Sequence, residues 1–435
     1  MTRSRLELGL RENAAQFSLL VAVNTLVGAM VGLERSTLPL IGENEFGLSS
    51  SAAVLSFIVA FGLAKSFTNL GAGVLAQRLG RRRLLILGWA AALPVPLLIA
   101  LAPSWAWIVA ANVFLGVNQG LAWSMTVVMK IDLVGPERRG LALGLNEAAG
   151  YGGVAVAAAL SGWLAAEFVA RDVLVVAGFA IAAAALLICV LFVRDTAAHV
   201  VLEQARDHAD ERATVPRLHD AFPDATYRVP ALRACSQAGL VNNLNDALAW
   251  GVTPLFLASK GASVGEIGLI AGLYPSIWGL GQIWTGRWSD TVGRKPLIVA
   301  GMLVQAAALG LLAASGGELG LAAVAAIGLG VGTALVYPTL IAAISDAVAP
   351  VARAATVGVY RFWRDMGYVV GGLLAGVLAD ALDFSGTIAV VAGLTVLSGI
   401  WLAFDLPTHR PGVACRSVSR RSTGGPCGPS LTRTP

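Results

Sequence analysis

The sequence predicts an all-α membrane protein of twelve transmembrane helices, arranged as two pseudo-symmetric bundles of six. Three observations predict it. Charged residues make up 13% of the 435-residue chain and hydrophobic ones 56%, with a mean hydropathy of +0.73. A soluble protein carries about 25% charged residues, so this chain cannot clothe a water-facing surface and lipid must cover much of it. Second, twelve apolar runs approach or exceed the roughly 20 residues that a bilayer-crossing helix needs. Third, the two halves of the chain repeat each other's loop motifs.

The elements follow in order. Residues 1–16 (MTRSRLELGLRENAAQ) are charged and read as a cytoplasmic N-terminus. The apolar run that follows outlasts a signal-peptide core and has no small-residue cleavage site, so it reads as a retained first helix. The first six helices are expected at 17–40, 50–75, 84–101, 106–131, 141–164 and 173–193, a bundle over 17–193. A cytoplasmic linker at 194–234, with room for a short surface helix, separates them from a second bundle over 235–404. Its helices are expected at 235–258, 265–286, 297–314, 320–345, 354–379 and 388–404. Residues 405–435, rich in Pro, Gly, Ser and Arg, read as a disordered cytoplasmic tail.

Composition also excludes. Period-two alternation is absent, which argues against a β-barrel. The 50 glycines suit helices that pack closely in lipid. The net charge of +5 does not point to nucleic acid, because the basic residues lie between apolar runs rather than in one patch. The even loops and both termini carry 24 of the 31 Lys and Arg, which places both termini in the cytoplasm. The four cysteines form no CxxC or CxxH pair, and the linker histidines match no zinc spacing. No metal or cofactor is expected. The chain has no P-loop, HExxH or GxSxG, so neither an ATP-driven pump nor an enzyme is indicated.

The internal repeat is specific. GVLAQRLGRR at 73–82 recurs as GRWSDTVGRK at 286–295, an offset of 213. Asp132, Pro136, Arg139 and Gly144 recur as Asp346, Pro350, Arg353 and Gly358 at an offset of 214. Such offsets indicate duplication of a six-helix unit, a known transporter plan with its site between the halves.

On these loops the chain resembles the major facilitator superfamily across about residues 15–405. The family's G-x-L-a-D-R-x-G-R-[RK] loop lies between its second and third helices and is echoed between the eighth and ninth. The resemblance implies a cytoplasmic gate built on Gly73, Gln77, Gly80, Arg81, Asp132, Gly286, Asp290, Gly293, Arg294 and Asp346. In it Arg81 would pair with Asp132 and Arg294 with Asp346, holding the outward-open state. Gly80 and Gly293 permit positive φ. The alternative is simple topogenic charge. The first loop departs from the pattern, with Gln77 where the second keeps Asp290. The chain looks nearest to the drug/proton antiporters, yet it has Asn112 where they carry an Arg, and Gly150-Tyr151-Gly152-Gly153 lacks their proline.

Charge inside a bilayer is expensive, about 2.5–3.5 kcal/mol per group on insertion scales, so such residues face a cavity or a partner. The third, sixth, ninth and twelfth predicted helices carry none, which matches the helices that lie outside in the superfamily. The first carries Glu34 and Arg35, either a proton and substrate site or an interfacial pair. The seventh places Asn242, Asn245 and Asp246 on one face near the midplane, either as a polar site or as an interhelical clamp. In the eleventh, Arg361, Arg364 and Asp365 share a face. Lys65 and Asp365 lie at similar depth, roughly 15–16 Å from the cytoplasmic ends at 1.5 Å per residue. They are expected to pair across the domain interface, with charge reversal at both positions rescuing a single reversal. Glu147 and Arg361 occupy equivalent repeat positions, and Lys130, near Asp132, is assigned to the gate.

These readings make Glu34, Glu147 and Asp246 the proton-coupling candidates. Arg35, Lys65, Asn242, Asn245, Arg361, Arg364 and Asp365 are the candidates for the substrate cavity. The function implied is secondary transport of a small molecule by alternating access, coupled to protons and directed to efflux. The chain is expected in the cytoplasmic membrane, and by resemblance as a monomer. The alternatives are an uptake symporter or exchanger for an organic anion, and a receptor or scaffold that keeps the fold without transporting.

Overall fold

A computed structural model describes residues 7–135, 139–207, 218–348 and 352–407, and among these the chain is helical with no strand. The first half runs α1 (Ala14–Arg35), α2 (Leu38–Asn44), α3 (Ser51–Val54), α4 (Ser56–Leu79), α5 (Arg81–Ala90), α6 (Pro94–Ala100) and α7 (Trp105–Asn118). A π-helical turn (Gln119–Trp123), α8 (Ser124–Val134), α9 (Arg139–Glu167) and α10 (Ala170–Leu191) complete it. The linker holds α11 (Ala197–Asp207), α12 (Leu218–Pro223) and a second π-helical turn (Asp224–Arg228). The second half is α13 (Pro230–Ser259), α14 (Val264–Val292), α15 (Arg294–Ala314), α16 (Leu319–Ala347), α17 (Arg353–Ala381) and α18 (Phe384–Asp405).

Among the described residues, nine helical stretches are long and apolar enough to cross a membrane. The three other predicted spans fall on α13, α14 and α17. At 29 or 30 residues these helices are about 44 Å long. They fall short in apolarity. α13 carries Asn242 to Asp246, α17 carries Arg361 to Asp365, and α14 is interrupted by Glu266, Gln282 and Asp290. The first predicted helix falls within a crossing that runs Ala14–Asn44 but is interrupted. It ends at Arg35 and resumes as α2 after Ser36 and Thr37.

The two halves meet along a seam made by α9 against α14 and by α3 and α4 against α17. The end of the seam near Glu45, Glu318 and Asp383 is here termed the acidic end; the Gly80 and Gly293 turns mark the basic end. At the acidic end the backbones nearly touch. A Cβ on Gly162 would lie 2.6 Å from the Gly268 Cα, and one on Gly376 the same distance from the Ala52 Cα. Only glycine permits that approach. Asp380 of α17 also reaches across the seam. It accepts from Ser50 Oγ at 2.6 Å, Ser51 N at 2.5 Å and Ala52 N at 3.2 Å, and so caps α3 from the other half. Toward the basic end, a Cβ on Gly144, Gly286 or Gly358 would meet open space. The seam is shut at one end and loosens toward the other. Gly80 and Gly293 turn the chain with φ of +85° and +99°, ending α4 and α14.

Candidate functional site

Midway along the seam lies a buried polar cluster. Lys65 of α4 and Asp365 of α17 face each other, Nζ to Oδ1, at 3.8 Å. Asp365 serves more than Lys65. It accepts from Arg364 Nη2 at 2.6 Å and Nε at 3.0 Å, and from Asn69 Nδ2 at 2.5 Å. One fully buried carboxylate therefore compensates two cations, one from each half. Arg364 also donates to the Tyr337 hydroxyl.

Asp246 of α13 forms the second centre and is fully buried. It accepts from the Tyr274 hydroxyl, and from the Tyr368 hydroxyl at 3.2 Å. Arg35 comes down beside it from α1. Its guanidinium lies 4.7 Å from the Phe61 ring and 4.9 Å from that of Trp250, with Phe57 at 5.8 Å. Among the described residues none of its nitrogens has a hydrogen-bond partner, and the adjacent Glu34 carries the opposite charge. Arg35 and Glu34 are both buried, at 1% and 3% exposure. The interfacial, snorkelling alternative for this pair is thereby removed.

The structure corrects the grouping of Asn242 and Asn245 with Asp246. Asn245 donates to Gln305 Oε1 at 2.8 Å, and Gln305 donates back to Asn242 Oδ1 at 2.9 Å. Thr395 Oγ1 donates to Asn245 at 2.9 Å. Both carboxamides thus clamp α13 to α15 and α18 inside the second half, with their polar atoms occupied away from the seam. A helical wheel gives the face of α13 but not the partner. The partner, Gln305, sits in a helix that carries no intramembrane charge.

On the first half, Glu147 Oε1 accepts from Trp123 Nε1 at 3.1 Å and from Asn146 Nδ2 at 3.0 Å. Lys130, assigned from sequence to the gate, is instead fully buried and interacts electrostatically with Glu147. Between the halves a cavity is lined by Lys65, Asn69, Trp123, Tyr151, Tyr337, Arg361 and Arg364, among others. Tyr151 packs on Trp278 with ring centroids 3.6 Å apart, so the aromatic wall also bridges the seam.

At the basic end, Arg81 Nε lies 2.6 Å from Asp132 Oδ2, and Arg294 Nε lies 3.0 Å from Asp346 Oδ2. Asp132 also accepts from Thr196 Oγ1 at 2.5 Å. Each ion pair lies within one half and ties the turn after α4 or α14 to the end of α8 or α16, so both expected pairs form while the seam is shut at the acidic end, and their formation does not by itself mark an outward-open state. The side chains of Gly73, Gln77 and Asp290 lie outside the described residues, as do residues 1–6 and 408–435.

Four residues of the cluster escape a search for intramembrane charge: Asn69, Tyr274, Tyr337 and Tyr368. Asn69 is hidden in an apolar run; Tyr274 and Tyr337 lie on predicted cavity helices, where stacking on a substrate and packing both fit, and nothing in the sequence shows which polar groups the three tyrosines meet. Asp380 escapes because an acidic residue near a helix end looks like ordinary loop charge.

Comparison with known proteins bears on this arrangement. The family model of the Major Facilitator Superfamily matches residues 16–233 and 235–420. The chain belongs to the Major Facilitator Superfamily. It is 34% identical over 158 residues to multidrug resistance protein MdtH of Aeromonas hydrophila, and 32% identical over 158 residues to that of Aeromonas salmonicida. These matches span 36% of this chain and 38% of each relative. Two solved superfamily structures share the fold at 16% identity. The nucleoside transporter NupG (D323A mutant) superposes with a TM-score of 0.68, covering 89% of this chain and 100% of that one. A bacterial homologue of the human lysosomal transporter Spinster, inward-facing and unoccupied, gives 0.66 and covers 91% and 95%. The superfamily assignment makes this chain a multi-pass membrane protein of a transporter family.

Proposed function

We propose that the chain crosses the cytoplasmic membrane twelve times with both termini inside, and exports a small molecule by proton-coupled alternating access. On this reading α13, α14 and α17 are the remaining crossings, and their polar residues are the transport path. The basic end faces the cytoplasm, and the structure corresponds to an inward-facing state. The observation that carries the proposal is the burial of Asp246 and Arg35 in one cluster, where the two interact electrostatically without a direct ion pair. A buried carboxyl held only by two tyrosine hydroxyls stands beside a guanidinium with no hydrogen-bond partner. Protonation of Asp246 would release that attraction, and deprotonation would restore it, so proton occupancy and Arg35 position are linked. Glu34 and Glu147 are further carriers on the same path. Efflux is supported by the loop element and by the partial likeness to MdtH.

The test is accumulation of a compound panel in an efflux-deficient host expressing wild type or Asp246→Asn, with and without a protonophore. Lower accumulation with wild type, abolished by the substitution and by the protonophore, is the expected result. Higher accumulation with wild type reverses the direction. Protonophore-insensitive export refutes the coupling.

A further inference from the structure

Nine ionisable side chains surround the middle of the seam: the cations Arg35, Lys65, Lys130, Arg361 and Arg364, and the acids Glu34, Glu147, Asp246 and Asp365. Most have a counter-charge at hand. Lys65 and Arg364 share Asp365, Lys130 interacts with Glu147, and Arg35 adjoins Glu34 and feels Asp246. Arg361 is the surplus. It lines the cavity, it is in no ion pair among the described residues, and its Nε is buried without a hydrogen-bond partner. Arg361 is part-exposed, so the guanidinium presents an uncompensated positive charge at the cavity wall.

We infer that this cavity takes a planar organic anion, an aromatic carboxylate, with its charge on Arg361 and its ring among Trp123, Tyr151 and Tyr337. The inference rests on the reading of the cavity as the transport site, and it names the substrate class. A carboxylate matches the guanidinium fork in shape and charge, and Lys65 and Arg364 add positive potential from the same wall. The aromatic wall suits a flat apolar body. Trp123 and Tyr151 lie 5.1 Å apart at a tilt, and Tyr337 stands edge-on to Tyr151 at 6.2 Å. Asn69 and Ser124 supply polar contacts on the α4 and α8 side. A cationic guest would instead meet three positive groups. The acids beside the cavity are already engaged: Asp365 by Lys65, Arg364 and Asn69, and Glu147 by Trp123, Asn146 and Lys130.

The experiment is equilibrium binding to the purified full chain in lipid nanodiscs. The probes are matched triples on one ring system: benzoate, benzamide and benzylamine, then the corresponding naphthalene and anthracene compounds. The carboxylate is expected to bind at least 10-fold more tightly than its amide or amine on at least one ring. Arg361→Gln should weaken carboxylate binding by about 10- to 100-fold and erase the preference. Arg361→Lys should retain part of it, and thermal unfolding of each variant checks that it folds. Tightest binding by the amine, no carboxylate binding on any ring, or a preference that survives Arg361→Gln overturns the inference. The same nanodisc protein reconstituted in vesicles separates the two readings. Selective carboxylate binding without transport leaves the anion site standing and defeats the transport reading. Proton-driven movement of the amine does the reverse.

Discussion

Replacing Asp365 by Asn should damage stability before it damages anything else. The carboxylate is fully buried, takes two bonds from Arg364 and one from Asn69, and lies 3.8 Å from Lys65. An amide of the same shape cannot compensate either cation. Removing one member of a buried ion pair costs about 3–5 kcal/mol, because the survivor is left uncompensated. At roughly 2 °C per kcal/mol for a large chain, the thermal midpoint should fall by about 6–10 °C. Lys65→Met alone should cost less, since Arg364 still satisfies Asp365. Added to Asp365→Asn it removes one stranded cation, so the double variant should be more stable than the sum of the singles by about 1 kcal/mol or more. The structure also revises the charge-reversal expectation. A lysine at 365 would face Arg364, so swapping the charges of positions 65 and 365 should not rescue a single reversal. The assay is thermal unfolding in detergent for the four members of the cycle. A midpoint within about 2 °C of wild type for Asp365→Asn, or strict additivity in the double variant, refutes the shared-carboxylate account.

Two further outcomes follow from groups at the two ends. Asp380→Ala removes a cap across the acidic end, worth about 1 kcal/mol, and should raise the population open at that end about 5-fold. Pulsed electron-spin distances between labels at positions 167 and 382, with Cys415 and Cys427 changed to Ser, would read this, and an unchanged distribution would show that the cap holds nothing shut. His199 of α11, outside the spans, contacts Asn13 Oδ1 at 3.2 Å, and partial burial holds its pKa below the usual value of about 6.5. A histidine with a depressed folded pKa binds fewer protons folded than unfolded. Docking of α11 is therefore fully stabilised above about pH 6.5 and weakens as pH falls below it. Protection factors across 197–207, corrected for the intrinsic pH dependence of amide exchange, should fall on acidification in wild type and stay level in His199→Gln; equal behaviour of the two would remove His199 from the account.

Much of the architecture was legible because it rests on quantities that survive in one dimension. Lipid burial shows in the scarcity of charge, and duplication shows in the recurrence of the Gly80 loop at Gly293. The meeting of Lys65 with Asp365 was legible because helical rise is constant, so residue counts give depth. Rotation is harder. Asn242 and Asn245 share a face with Asp246, but which neighbour that face meets depends on Gln305, whose helix offered no signal. The tyrosines around Asp246 were unreadable for a related reason: a hydroxyl inside a bilayer declares itself only through the group it meets. Asp380 was missed because two of its three partners are backbone amides, which every sequence supplies, and the third is an ordinary loop serine.

The ring cage around Arg35 bears on how fast the acidic end can part. Phe57 and Phe61 belong to the same half as Arg35, whereas Trp250 belongs to the other. Once Asp246 is protonated, separation there surrenders one ring contact, about 0.5–2 kcal/mol, and strands no counter-charge, since Glu34 stays in the same half as Arg35. A carboxylate in the place of Trp250 would cost about 3–5 kcal/mol to leave. Since each 1.4 kcal/mol is tenfold in rate, the difference is a slowing of roughly one to three powers of ten. A cation clasped by aromatic faces is a seal with a low activation barrier, tight enough to exclude water and quick enough to turn over.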